Sequence, residues 1–132
     1  MKKVVLDTNI IISAFLSPTG KPAAILLSVL RQELEIQYNT EIIVEYEQVL
    51  SREKFSEKIR FADAQAFLER LRDFGANVVA PRSKVDIPDE TDRKFYDTAK
   101  AANAILVTGN KKHYPDDEII QTPAEFFALW NS

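Results

Sequence analysis

The stretch Val4-Val5-Leu6-Asp7-Thr8-Asn9-Ile10-Ile11-Ile12-Ser13-Ala14 runs from β-branched apolar residues into an acidic-polar triplet and back into apolar residues. Val4 to Leu6 is too short and too apolar for a half-exposed strand. A continuous apolar run bounded by polar residues fits a strand in the middle of a parallel sheet. The triplet is then a corner, and Ile10 onward a first helix. In open α/β sheets ligands bind outside the carboxyl ends of the strands, so a carboxylate directly after the first strand stands where chemistry is usually done. Asp7 is therefore the leading site candidate. The plainer alternative is that Asp7 or Thr8 only caps the helix that follows, and the stretch alone does not separate the two.

At 132 residues, with 45% apolar and 28% charged side chains, the chain suits one ordinary globular domain with a sizeable core, expected over 1–132 without a linker. A net charge of −3, from 17 basic and 20 acidic residues, gives no global positive field, so nucleic-acid binding would need a local basic patch. With no Cys there is no disulfide framework or thiolate zinc site, and the lone His113 cannot form an HExxH pair. The apolar residues from Val4 to Leu16 are interrupted by Asp7 and Asn9 and fall short of the roughly 18 a membrane span requires. Met1-Lys2-Lys3 leads straight into a strand, so no signal peptide and no membrane partner are expected, and a cytoplasmic location is the default.

Further along, Pro18 and Gly20 end the first helix, and Pro22 suits the first turn of a second, with Ala23, Leu26, Leu27 and Leu30 at helical spacing. Residues 35–38 alternate as a short strand. Asn39 or Thr40 can cap a helix through Ile42, Ile43, Tyr46, Val49 and Leu50. Residues 52–60 suggest a short helical piece, and Ala64 to Phe74 a long amphipathic helix closed by Gly75 as a C′ glycine. Residues 77–80 predict a strand. Asp89-Glu90-Thr91-Asp92 opens a helix carrying Phe95, Tyr96, Ala99 and Ala102, which Asn103 can close in the left-handed conformation. Residues 105–108 form a second short buried strand and 119–120 an edge strand, and Thr122-Pro123-Ala124-Glu125 has the spacing of a capping box before a terminal helix. Strands near 3–6, 35–38, 77–80, 105–108 and 119–120, separated by helices, predict a five-stranded parallel sheet in a three-layer α/β/α sandwich.

The acids then fall into a pattern. Asp7 ends one buried strand and Asn110 ends another. Glu45, three residues after Ile42 and four before Val49, lies on or beside an inward stripe, where a glutamate needs a reason. Asp92 sits at the positive end of its helix, on the core-facing stripe. Taken singly, Asp92 suits a cap and Glu45 a salt bridge; together they can converge with Asp7 at one sheet edge. Crowded carboxylates raise one another's pKa unless cations compensate, and hard oxygen ligands without His or Cys select Mg²⁺ or Mn²⁺. Such ions clamp phosphate oxygens and acidify a bound water, which points to phosphodiester hydrolysis.

Leu6-Asp7-Thr8-Asn9 with Ser13-Ala14, Glu45-Tyr46 with Val49-Leu50, Asp89 to Asp92 before Phe95, and Leu106-Val107-Thr108-Gly109-Asn110-Lys111 together resemble the PIN-domain nucleases, in that family's order and over nearly the whole chain. The resemblance is strongest to members described as toxin components of toxin–antitoxin systems. It implies an α/β/α sandwich and Mg²⁺- or Mn²⁺-dependent RNA cleavage, with an RNA substrate, a cognate antitoxin protein and a homodimer as expected partners. On the matching positions Asp7, Glu45 and Asp92 are the acidic metal ligands, and Asn110 completes the catalytic set. Thr8 and Asn9 steady the first corner and meet substrate. Asn110 departs from the acid many members have there, which puts a second metal in doubt; Asp89, Asp116 or Asp117 could substitute. Lys111 and Lys112, after the same strand, could hold a phosphate.

Other sites fit less well. Gly20, Gly75 and Gly109 form neither a GxGxxG nor a GxxxxGK pattern. An aspartyl-phosphate enzyme of the haloacid type would want an acid where Asn9 stands. From a different class, the chain could be a non-catalytic RNA- or partner-binding PIN fold that has lost metal competence through Asn110.

Overall fold

A computed structural model describes residues 1–130; the last two residues of the domain expected over 1–132 lie outside the described residues. The apolar run becomes β1 (Lys2–Leu6), with Val4, Val5 and Leu6 fully buried. Its neighbours are β2 (Leu34–Tyr38) on one side and β4 (Ile105–Val107) on the other, with Val4 in register with both Ile36 and Ile105. Beyond them lie the short edge strands β3 (Ala76–Asn77) and β5 (Ile120–Gln121), giving an all-parallel sheet in the order β3-β2-β1-β4-β5. Around it pack α1 (Thr8–Leu16), α2 (Lys21–Leu30), α3 (Thr40–Leu50), α4 (Phe61–Phe74), α5 (Arg93–Ala102) and α6 (Pro123–Trp130). This is the three-layer α/β/α sandwich that the alternation of strands and helices predicts.

The order matters for the site. The chain winds outward from β1 through β2 to β3, then returns across the sheet to β4 and β5, so β1 and β4 lie side by side where the winding reverses. Such a switch point opens a crevice at the carboxyl ends of the two strands. Asp7 and Thr108 are the residues that follow those ends.

Local chemistry explains most boundaries. Asn39 caps α3, its side chain accepting from Ile42 N at 3.2 Å. Thr122 and Glu125 form the reciprocal box at α6: Glu125 Oε1 accepts from Thr122 N at 2.9 Å, and Thr122 Oγ1 accepts from Glu125 N at 3.2 Å. Asn103 closes α5 in the left-handed region (φ 55°), as its position predicts. Gln32, after α2, shares that conformation (φ 61°) without a glycine or asparagine to announce it.

Two expectations need correcting, and the short helical piece expected over residues 52–60 is present but narrowed. The strand expected over 77–80 ends at Asn77, because Val79 is 95% exposed with nothing to pack against and Pro81 has no N–H for a ladder. Residues 52–60 hold only a 3-10 turn, Glu53–Phe55. Gly75 ends α4 in an extended conformation (φ −74°), not a left-handed one. A glycine is required there by space: a Cβ would meet Leu71 O at 2.5 Å and the Tyr38 ring at 3.1 Å.

Among the described residues no single helix is long and apolar enough to cross a membrane; α1 and α2 approach that composition only as a pair, and they bend 101° between them. Gly75→Ala should destabilise the fold by about 1–3 kcal/mol, since one wall of the space is backbone and cannot move cheaply. Urea unfolding of the variant beside the parent measures this, and equal midpoints would show that the close approach carries no energetic weight.

Candidate metal-binding acidic cleft

The corner after β1 is held from both sides. Asp7 N donates to Val107 O at 3.0 Å, extending the β1–β4 pairing by one residue and fixing where the carboxylate leaves the sheet. Asp7 is only 5% exposed. Its Oδ2 accepts from Thr108 Oγ1 at 2.9 Å and from the Tyr114 hydroxyl at 2.8 Å. Although Asp7 occupies the N-cap position of α1, its side chain makes no capping hydrogen bond. Burial raises its pKa, the Tyr114 and Thr108 hydroxyls pull it back down, and the charge of Glu45 raises it further. Tyr114 is buried beside this carboxylate, and both burial and the Asp7 charge lift its pKa, so its hydroxyl remains a donor.

Glu45 reaches the cleft from α3 because Tyr46, fully buried and hydrogen-bonded to Leu6 O, anchors that helix against the end of β1. Glu45 Oε2 accepts from the Thr8 hydroxyl, and Oε1 pairs with Lys94 Nζ at 2.7 Å. Asp92 arrives from the start of α5, also without a capping hydrogen bond, its side chain 15% exposed. The cap belongs to Asp89, whose Oδ1 accepts from Thr91 N at 3.0 Å and Thr91 Oγ1 at 2.8 Å; these bonds hold the Asp89 carboxyl below the ordinary range. Asp92 is pushed up to about 6, first by burial, then by the charges of Asp7 and Asp89, with His113 opposing. His113 Nδ1 lies 3.5 Å from Asp92 Oδ2.

One open cleft of about 490 Å³ gathers these groups: it is lined by Asp7, Thr8, Asn9, Glu45, Asp89, Thr91, Asp92 and His113, together with Ile12, Gln48, Val49, Arg52 and Phe55. Asp7, Thr8, Asn9, Glu45 and Asp92 are thus brought together. Three other candidates are not. Asn110 caps the 3-10 turn Lys111–His113, accepting from Lys112 N at 3.3 Å, and its Nδ2 meets His113 Nε2 at 3.0 Å, so it touches the cleft only through that ring. Lys111 pairs with Glu125 at 3.2 Å, and with Lys112 it borders a separate recess beside Asp116 and Asp117. Asp117 is itself occupied by Lys100 at 3.0 Å and the Tyr96 hydroxyl at 2.9 Å.

Sequence reasoning missed Thr108, Tyr114, Lys94 and the Arg52–Phe55 wall. Thr108 carried a signal, since it directly follows β4, the strand paired with β1. Tyr114 carried little, because its bond to Asp7 crosses 107 positions of sequence.

The donor set can be weighed for a divalent ion. Asp7 and Asp92 are hard oxygen donors under mutual repulsion that a cation would relieve, so they fit. Glu45 fits only in exchange for Lys94. Accordingly, among the described residues no group of three or more His, Cys, Asp or Glu side chains stands preformed to hold a metal ion.

A switch-point α/β fold with carboxylates gathered in the crevice beside its two central strands defines an acidic class of site. The family model described as PIN domain matches residues 3–112, and the chain belongs to that family. It is 31% identical over 114 residues to the uncharacterized protein MJ1680 of Methanocaldococcus jannaschii, covering 83% of this chain and 71% of that one. Its fold is shared with PAE2754 from Pyrobaculum aerophilum (TM-score 0.62, 15% identity, covering 100% of this chain and 91% of that one). It is shared also with VapBC2 from Rickettsia felis, bound to a DNA fragment from its promoter (TM-score 0.53, 18% identity, 83% and 89% covered).

A carboxyl whose folded pKa lies above its unfolded value withdraws stability as pH rises through the interval between them, here from about 3.8 to about 6. Asp92→Asn removes that loss. In chelator, the variant should exceed the parent by on the order of 1 kcal/mol at neutral pH after allowance for solvent screening, and converge with it near pH 4. Denaturant melts at both pH values check this; a variant less stable at neutral pH would mean that Asp92 is not under like-charge strain.

Proposed function

We propose that this chain is a Mg²⁺- or Mn²⁺-dependent ribonuclease that hydrolyses RNA phosphodiester bonds, and that it is the toxin of a toxin–antitoxin pair. The observation that carries the reading is the shared cleft of Asp7, Asp92 and Glu45, with Asp92 pushed up to about 6 by burial and then by the charges of Asp7 and Asp89. Membership of the PIN domain family, whose members are generally nucleases, supports the hydrolase class. The fold shared with VapBC2 supports the toxin role and an antitoxin partner. A homodimer is part of the proposal on the family resemblance alone.

Asp7 and Asp92 would hold the ion. When bound, it would neutralise phosphate charge and acidify a water for attack. The hydroxyls of Thr108 and Tyr114 fix Asp7 by occupying Oδ2, and Tyr114 excludes water from behind it. Arg52, whose guanidinium has no hydrogen-bond or ion-pair partner among the described residues, faces the same cleft beside Phe55. An arginine and a ring on that wall suit an RNA phosphate and an unstacked base.

One observation favours the non-catalytic alternative: Lys94 already occupies Glu45. Metal-dependent cleavage separates the two. Asp7→Asn should abolish Mg²⁺-dependent cleavage of mixed RNA with little change in melting temperature, because it removes charge but keeps size. Undiminished cleavage by the variant would remove Asp7 from the site, and a parent protein that cleaves no RNA with Mg²⁺ or Mn²⁺ would favour the binding fold.

Arg52→Ala should raise KM roughly five- to tenfold, on the order of 1 kcal/mol, with kcat nearly unchanged, as expected for a contact made equally in ground and transition states. Steady-state kinetics on a labelled RNA decide it. A fall in kcat at constant KM would assign Arg52 to transition-state charge instead.

A further inference from the structure

Lys94 lies in the first turn of α5, two residues after Asp92, in a position where an exposed lysine would ordinarily extend into water. Instead its side chain is only 14% exposed. The ammonium pairs with Glu45 Oε1 at 2.7 Å, donates to Thr91 O, and lies 5.2 Å from the centre of the Phe95 ring. The other Glu45 oxygen is taken by the Thr8 hydroxyl. Both oxygens of this carboxylate are therefore satisfied by the chain itself, one of them by a full positive charge.

Nuclease sites with two divalent ions hold them roughly 4 Å apart, and even where one carboxylate bridges both, each ion draws on further anionic oxygens. Here Asp7 and Asp92 can supply one such set. A second would need Glu45 released from Lys94, or an acid at residue 110, where Asn110 instead caps the turn after β4. We infer, resting on the nuclease reading above, that Lys94 takes the place of a second metal ion, so that this is a one-metal site in which the ammonium neutralises and orients Glu45. Lys94 is in this sense a positioning residue. It sets how many cations the cleft accepts, by a charge that is tethered to the fold and needs no ion concentration to be present. The Phe95 ring below the ammonium and the carbonyl of Thr91 hold it at Glu45 and not at Asp92 or Asp7.

Counting Mn²⁺ on the intact protein tests this by calorimetric titration, supported by the loss of free-ion paramagnetic resonance signal. The parent should bind one Mn²⁺ per chain. Lys94→Met, which keeps the stem but removes the charge, should bind two, and should melt at a lower temperature in chelator with the loss recovered by Mn²⁺. Lys94→Arg should keep the count at one, which separates charge from mere disruption. Two ions on the parent, or one ion on a folded Lys94→Met protein, overturns the inference while leaving the nuclease reading standing. No Mn²⁺ on any of the three overturns the nuclease reading, and this inference with it.

Discussion

The buried Asp7 carboxylate, with one oxygen taken by the hydroxyls of Thr108 and Tyr114, is the interaction on which the site depends. An acid with 5% exposure at the end of the central strand would be costly if left alone. Its two hydroxyl partners lie 101 and 107 positions away in sequence, so the bonds exist only when β1 and β4 are paired and the turn after β4 has folded back. The same bonds that make the carboxylate tolerable thus register the two halves of the sheet at their switch point. Stability and site geometry are specified together.

Around that fixed point the charges divide unequally. Glu45 is neutralised by Lys94, and Asp89 is spent on the turn before α5. Asp92 and Asp7 are left to repel across the cleft, with His113 the nearest relief for Asp92. Their repulsion is a local free-energy cost that a divalent cation would relieve on binding. Arg52 and Phe55 line the same cleft, so its lining combines acids with a cation and an aromatic ring.

Much of this was legible in the residues. The central position of β1, the acids at the strand end and helix start, the Asn39 cap, the Thr122–Glu125 box and the left-handed Asn103 follow from local pattern and capping chemistry, which act within a few residues. The inward Glu45 was also readable, because helical spacing decides which face a residue takes. What escaped were pairings set by the tertiary fold. Nothing local says that Tyr114 will reach Asp7, that Lys94 will turn inward, or that Lys111 will be drawn to Glu125 and away from the acids. Asn110 was assigned to the cleft because it follows β4. Its short amide found the nearer backbone N–H of Lys112 first, as asparagines at turn starts commonly do.

The central claim is that Asp7 and Asp92 together form the cation site of this fold. Anomalous diffraction from crystals of the intact chain soaked in Mn²⁺ addresses it most directly. The account predicts a manganese peak in the cleft within coordination distance of both carboxylates, with Lys94 still on Glu45. A cleft without manganese, or a peak confined to the recess of Asp116 and Asp117, would contradict it.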